Sequence, residues 1–186
     1  MGKAQFRLAS IVFFCLFNQA TFGAGLTSFV GVGVGNTYTS FDSPSGQVNS
    51  SSTGYHFIAG SQINPMFAVE AEYVDLGEYS AATYTVGAKG LGISGLLTLP
   101  VSGMFSVYGK AGLTRLETTV TQTTGTVSTP LSDTVVGISL GYGIQADVAP
   151  NVSLFLCWDR YKSSALAGPF TDRINMNSSG LLVYRF

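Results

Sequence analysis

The sequence of 186 residues is long enough for one domain, and a second domain of ordinary size would be cramped beside it. Hydrophobic residues make up 46% of the sequence and charged residues only 10%. This charged fraction is far below the roughly 25% of an ordinary soluble domain. The formal net charge is −1 and the Lys and Arg residues are spread singly, so the sequence has neither a basic surface for nucleic acid nor a polybasic run for anionic lipid.

The N-terminal segment has the three parts of a secretory signal peptide. Lys3 and Arg7 precede an apolar run at 8–17, which is too short to span a membrane as a helix. Polar residues and a Thr-x-Gly site follow this run. We therefore predict that residues 1–23 are a cleavable signal peptide and that residues 24–186 form the mature domain.

After the signal peptide, apolar residues alternate with small or polar residues at the period of two that is typical of β-strands. In the stretch at 135–149, Val, Ile, Leu and Tyr share one face and Gly, Ser, Gln and Asp share the other. Each candidate strand has about the ten residues that cross a membrane at a tilt. In chain order, the eight candidates are FVGVGVGNTY, YHFIAGSQI, FAVEAEYV, GLGISGLLTL, FSVYGKAGLT, VVGISLGYGIQADVA, VSLFLCWDRY and GLLVYRF.

The connections between these strands alternate between long and short. Short connections contain Pro with Asn or Gly and are typical of tight turns; they lie at 64–65, 100–103 and 149–151. Long polar loops are predicted at 42–53, 75–82, 121–133 and 163–175. This order predicts eight antiparallel strands with both chain ends on the side of the short turns.

The composition of the two strand faces indicates the environment of the sheet. A soluble β-sandwich would need charged residues on its outer face, whereas here the polar faces carry mainly Gly, Ser and Thr. Such small residues suit the inside of a narrow barrel, and the apolar faces suit lipid. Because a free sheet edge is not stable in hydrocarbon, the sequence predicts an all-β protein, an eight-stranded antiparallel up-and-down transmembrane β-barrel.

Aromatic residues are grouped near the strand ends, as in the two interfacial girdles of membrane barrels. The group near the short turns comprises Phe67, Phe105, Tyr184 and Phe186, and the group near the long loops comprises Tyr38, Tyr73, Tyr84 and Trp158.

Several segments resemble a known family. QINPMFAVEAEYVDLG, TLPVSGMFSVYGKAGLTR, WDRYK and the terminal VYRF occur in family order between Gly25 and Phe186, and this ordered set resembles the transmembrane domain of OmpA-like outer-membrane proteins. The resemblance implies location in the outer membrane of a Gram-negative bacterium, with periplasmic termini and contact with outer-membrane lipid and lipopolysaccharide. It also implies that Tyr184 and Phe186 form the signal read by the barrel-insertion machinery. Larger members continue into a peptidoglycan-binding domain, which we do not expect here.

Charged and polar residues at inward positions are expected to form a structural cluster. The cluster comprises Glu70, Glu72, Lys110, Gln145 and Asp147, with Lys110 as a partner of Glu70 or Glu72. An eight-stranded barrel is just wide enough for its side chains to fill it, and charges inside it must pair. Of the luminal carboxylates in the best-known family member, only Glu70 has a counterpart, so a gated ionic channel is not expected. A narrow porin-like diffusion channel remains the alternative.

No residue pattern points to catalysis, a cofactor or a metal. His56 is the only histidine, and it lacks the characteristic neighbours of a lipid-modifying barrel enzyme with a Ser/His/carboxylate site. Cys157 is the only cysteine of the predicted mature domain, and an inward-facing thiol of this kind is expected to be inert. The sequence therefore predicts a barrel that is not an enzyme, with a structural role or a role exerted through its surface loops.

Overall fold

The computed structural model describes residues 26–43, 46–81, 84–124, 127–163 and 171–186. These residues form one closed antiparallel barrel in which each strand pairs with its sequence neighbours and the last strand pairs with the first. The strands are β1 (Thr27–Ser43), β2 (Gly46–Gln62), β3 (Phe67–Ala81), β4 (Tyr84–Pro100), β5 (Phe105–Thr124), β6 (Val127–Ala149), β7 (Val152–Ser163) and β8 (Thr171–Arg185). The predicted eight-stranded up-and-down barrel is confirmed.

The described residues include no helix that is long and apolar enough to cross a membrane. The predicted signal peptide at 1–23 lies outside the described residues, so its cleavage stays a prediction.

Short turns at 63–66, 101–104 and 150–151 define one end of the barrel, which we call the turn end. In the first turn, Asn64 Oδ1 accepts hydrogen bonds from the backbone N–H groups of Met66 and Phe67, each at 2.9 Å. Such side-chain acceptors satisfy backbone groups that have no strand partner. The C-terminal residue also lies at the turn end, because Phe186 exchanges two backbone hydrogen bonds with Ser28, at 3.1 and 2.9 Å.

The opposite end, which we call the hairpin end, corrects the prediction of long loops. The polar segments at 42–53, 75–82 and 121–133 lie almost wholly within strands. Pairing of β5 with β6 continues without a register shift from Phe105–Ala146 to Thr124–Val127. Thr is β-branched and favours extended backbone, so these Ser- and Thr-rich stretches continue the hairpins. Of the fourth predicted loop, residues 164–170 lie outside the described part and the remainder belongs to β7 and β8.

Apolar side chains cover the outside of the barrel. On β6 the outward-facing residues are 43–65% exposed, and they are Val136, Ile138, Leu140, Tyr142, Ile144 and Val148. Inward-facing residues on the same strand, such as Ser139 and Gln145, are buried. Large apolar side chains on an exposed surface and polar ones inside are the arrangement of a barrel that faces lipid.

Five of the eight predicted aromatic residues are exposed at the expected ends, whereas Tyr73 and Phe186 are half-buried. Phe67, Phe105 and Tyr184 are about half exposed at the turn end, while Tyr38 and Trp158 are exposed towards the hairpin end. The side chain of Tyr84 lies outside the described part.

Candidate functional site in the barrel interior

Side chains fill the lumen in four successive layers from the turn end to the hairpin end. A turn-end polar group contains Gln145, Asp147, Ser153 and Arg185. Above it, the lower apolar layer contains Phe29, Ile58, Leu96, Tyr108, Phe155, Cys157, Leu181 and Val183. The charged cluster contains Glu70, Glu72, Lys110 and Asp159. The upper apolar layer contains Val74, Leu76, Leu116 and Tyr161.

Lys110 is the centre of the charged cluster. Its Nζ lies 2.9 Å from Glu72 Oε2, 3.3 Å from Glu70 Oε1 and 3.3 Å from Asp159 Oδ1. The lysine comes from β5, the two glutamates from β3 and the aspartate from β7, so the ion pairs cross the lumen. Each of the four side chains is at most 5% exposed. One ammonium group, with three N–H donors, thus faces three buried carboxylates.

Hydrogen bonds support the three carboxylates unequally. Glu72 also accepts from Thr114 Oγ1 at 3.3 Å and from the Tyr161 hydroxyl at 3.2 Å. Asp159, by contrast, has only its ion pair with Lys110 among the described residues. His56 lies beside this cluster and is 1% exposed. The centroids of the His56 and Tyr161 rings are 6.5 Å apart. Because buried charges are costly when unpaired, the cluster depends on the lysine.

Glycines on neighbouring strands make room for the cluster. A Cβ at Gly141 on β6 would collide with Asp159 Oδ1 and would lie 2.9 Å from Lys110 Cε. A Cβ at Gly92 on β4 would lie 2.9 Å from Glu72 Oε1. Gly92 and Gly141 are therefore the places where the charged side chains of the cluster lie against bare backbone.

The residues predicted as one polar cluster lie in two separate groups. Glu70, Glu72 and Lys110 meet in the charged cluster, whereas Gln145 and Asp147 belong to the turn-end polar group, beyond the lower apolar layer. Asp147 Oδ1 accepts hydrogen bonds from Gln145 Nε2 at 2.9 Å, from Ser153 Oγ and from Arg185 NH1 at 3.0 Å. Alternation shows which face a residue occupies, but it does not give the height of that residue in the barrel.

Sequence reasoning also left out members of the charged cluster. The predicted cluster does not include Asp159, Thr114 or Tyr161. Tyr161 follows Asp159 by two residues, and Thr114 follows Lys110 by four, so the same alternation would have placed both inside. Cys157 is buried, and its Sγ accepts a hydrogen bond from the Tyr108 hydroxyl at 2.7 Å.

The lumen contains apolar side chains as well as the expected polar ones. Between the turn-end polar group and the lower apolar layer there is a cavity of about 30 Å³, bordered by Phe29, Glu70, Gln145 and Arg185 among others. This is room for about one water molecule. Within the described residues, no group of three or more His, Cys, Asp or Glu side chains is arranged to hold a metal ion.

Comparisons with known proteins support the architecture. Residues 6–186 match the family model described as outer membrane protein beta-barrel domain. The chain is similar to the crystal structure of Neisserial surface protein A, at 18% identity and a TM-score of 0.68, covering 84% of this chain and 97% of that one. It is also similar to Ail, the attachment invasion locus protein of Yersinia pestis, in complex with the heparin analogue sucrose octasulfate, at 13% identity and a TM-score of 0.57, covering 86% and 99%.

A further similarity is to the outer membrane protein OprG of Pseudomonas aeruginosa, at 14% identity and a TM-score of 0.55, covering 86% of this chain and 95% of that one. At these identities the likeness concerns the fold. Among curated proteins, no significant match is found.

Lys110→Met tests the dependence of the charged cluster on its only lysine. Removing one partner from a buried ion pair costs about 3 to 5 kcal/mol, because the remaining charge is left uncompensated. We expect a loss of this size in the free energy of unfolding, measured by urea titration of the refolded protein in lipid vesicles. The control is Lys89→Met, which removes an exposed lysine 3.5 Å from Asp75 and is expected to cost less than about 1 kcal/mol. Equal losses in the two variants would contradict the assignment.

Gly141→Ala tests whether bare backbone is needed beside the cluster. Because the new Cβ would collide with Asp159, we expect a loss of about 1 to 3 kcal/mol in the free energy of unfolding. Gly95→Ala is the matched control, since a Cβ at this outward position on β4 meets no atom within 4 Å. It should leave stability unchanged or slightly higher, and a Gly141→Ala variant as stable as Gly95→Ala would refute this role of the glycine.

Proposed function

The chain belongs to the outer membrane protein β-barrel domain family and is an integral barrel of the Gram-negative outer membrane, and we propose that its role there is structural or exerted through the hairpin end, without transport. The observation that carries the proposal is the filled lumen. Two apolar layers lie on either side of the charged cluster, and both consist of side chains that are at most 9% exposed. A diffusing solute would have to displace these layers and also separate the ion pairs of Lys110.

The orientation in the membrane is part of the proposal. The turn end would face the periplasm together with both chain ends, and residues 1–23 would be removed as a signal peptide during export. The hairpin end would then face outward. This orientation is supported by the long strands there, because β5 has 20 residues and β6 has 23, about twice the number needed to cross the membrane. The extended hairpins would provide the surface for interactions outside the cell.

Two kinds of partner follow from this orientation. The apolar band would contact phospholipid on the periplasmic side and lipopolysaccharide on the outer side, and the barrel-insertion machinery would read the C-terminal strand. Tyr184 and Phe186 face outward at the turn end, with their rings stacked at 6.3 Å between centroids. The Phe186 side chain is thus available at the membrane surface while its backbone is fixed by Ser28.

An enzymatic role is not proposed. A histidine that acts on membrane lipid must reach the reacting group of the substrate, but His56 is 1% exposed inside the barrel. It lies beside Tyr161 and the charged cluster, and its position supports a role in packing the lumen.

Planar-bilayer recording tests the absence of transport. We expect no reproducible single-channel steps from the purified, refolded protein, because the apolar layers and the charged cluster close the lumen. The positive control is a porin of known conductance, recorded in the same bilayers. Reproducible steps from the unmodified protein would favour the diffusion channel and overturn the proposal.

Phe186→Ala tests the insertion signal. The substitution keeps the backbone pairing with Ser28 but removes the terminal aromatic ring, so it should lower the amount of closed barrel in cells while leaving refolding in detergent intact. Phe105→Ala is the matched control, since Phe105 is also about half exposed at the turn end. The measurement is the fraction of heat-modifiable protein in outer membranes. Equal losses for the two variants would mean that Phe186 acts only as an interfacial anchor.

A further inference from the structure

A row of outward-facing side chains crosses four neighbouring strands on the outer surface of the barrel. Tyr142 on β6 is paired with Trp158 on β7, which is paired with Ser178 on β8, and Ser178 is paired with Asn36 on β1. We call these four residues the headgroup row. The rings of Tyr142 and Trp158 are stacked, with centroids 5.7 Å apart and an interplanar angle of 18°, and they are 63% and 39% exposed. Two aromatic faces, a hydroxyl and an amide are the groups that commonly contact a sugar.

Arg160 adds a positive charge to this row. It follows Trp158 by two residues on the same face of β7, which places their Cα atoms about 7 Å apart. Its side chain is exposed, its partner on β6 is Leu140, and it forms no ion pair with any carboxylate in the described part of the chain. A planar guanidinium without a counter-ion among the described residues is suited to bidentate hydrogen bonding with a phosphate.

An apolar groove lies directly below the headgroup row, towards the turn end. The next outward residues on the same four strands are Ile144, Leu156, Gly180 and Val34. Gly180 leaves a gap in this surface, because a Cβ there would have its nearest neighbours only at 3.9 Å. The groove has a volume of about 730 Å³, and its lining also includes Leu154 and Leu182. A hydrocarbon chain can lie along such a groove with its headgroup at the row above.

We propose that this surface binds one lipopolysaccharide molecule, with a phosphate of its lipid A part on Arg160, the sugar against the headgroup row and an acyl chain in the groove. The proposal rests on the orientation proposed above. On β7, β8 and β1 the polar groups Arg160, Ser178 and Asn36 lie on the hairpin side of the groove, whereas on β6 the apolar face continues beyond Tyr142 with Leu140 and Ile138. The order on β7, β8 and β1 matches a lipid of the outer leaflet, whose chains point towards the periplasm. The turn end has no comparable site for a lipid of the periplasmic leaflet, because no Lys or Arg side chain of the described residues faces outward there. Arg185 lies at the turn end but is directed towards Asp147.

Intrinsic fluorescence provides a direct test, because Trp158 is the only tryptophan of the chain. The refolded protein in zwitterionic detergent is titrated with bisphosphorylated lipid A, with chemically dephosphorylated lipid A and with phosphatidylglycerol. We expect a saturable change in Trp158 emission with bisphosphorylated lipid A. Half-saturation should need about tenfold more of the dephosphorylated form, because a charge-assisted hydrogen bond is lost. Phosphatidylglycerol should bind more weakly still, since it has no sugar for the aromatic pair.

Arg160→Gln and Arg115→Gln form the matched pair of variants. Arg115 is also exposed, faces outward and lacks an ion pair within the described residues, but it lies on β5, away from the headgroup row. Arg160→Gln should raise the half-saturation concentration about tenfold, and Arg115→Gln should leave it unchanged. Equal effects of the two variants, or equal binding of phosphatidylglycerol and lipid A, would overturn the site.

Heat-modifiable migration of each sample distinguishes a failure of the lipid site from a failure of the proposed function. If the wild-type protein migrates as a closed barrel but its emission does not respond saturably to lipid A, the lipid site is wrong and the outer-membrane barrel stands. If it does not migrate as a closed barrel, the proposed function itself fails.

Discussion

The pairing of β8 with β1 is the interaction on which the rest of the structure depends. Hydrocarbon offers no hydrogen-bond partner to a free sheet edge, so the strands of a membrane barrel must close on themselves. The pairs run from Phe29–Arg185 to Asp42–Thr171 and are continued beyond β8 by the backbone hydrogen bonds between Ser28 and Phe186. Closure with only eight strands fixes a narrow lumen. It also separates the side chains into one set that meets lipid and one that must pack inside.

The narrow lumen explains the arrangement of the charged residues. Glu70, Glu72 and Asp159 are buried between the two apolar layers, so their charges need a positive partner within the protein, and Lys110 supplies it. Space for these long side chains comes from Gly92 and Gly141, at which a Cβ would meet the cluster. The ion pairs and the glycines together allow charged side chains to fill the lumen of a small barrel.

The sequence predicted the faces of the strands better than their lengths or the heights of their residues. Alternation identified the eight strands, because the apolar residues that face lipid recur at every second position. It did not reveal the hairpin extensions: once both faces are polar, as in 117–124, the alternation disappears although the strand continues. Height in the barrel depends on the register between strands, and for this reason Gln145 and Asp147 were grouped with Lys110 although the lower apolar layer separates them.

The central claim is that the chain forms a closed barrel inserted in the outer membrane. Its most direct test is heat-modifiable electrophoresis of the outer-membrane fraction. A closed barrel resists detergent until it is boiled, because its backbone hydrogen bonds form a continuous ring. We expect the protein in the outer membrane, with unboiled and boiled forms that migrate differently. Recovery of the protein from the soluble periplasm, with identical migration before and after boiling, would contradict it.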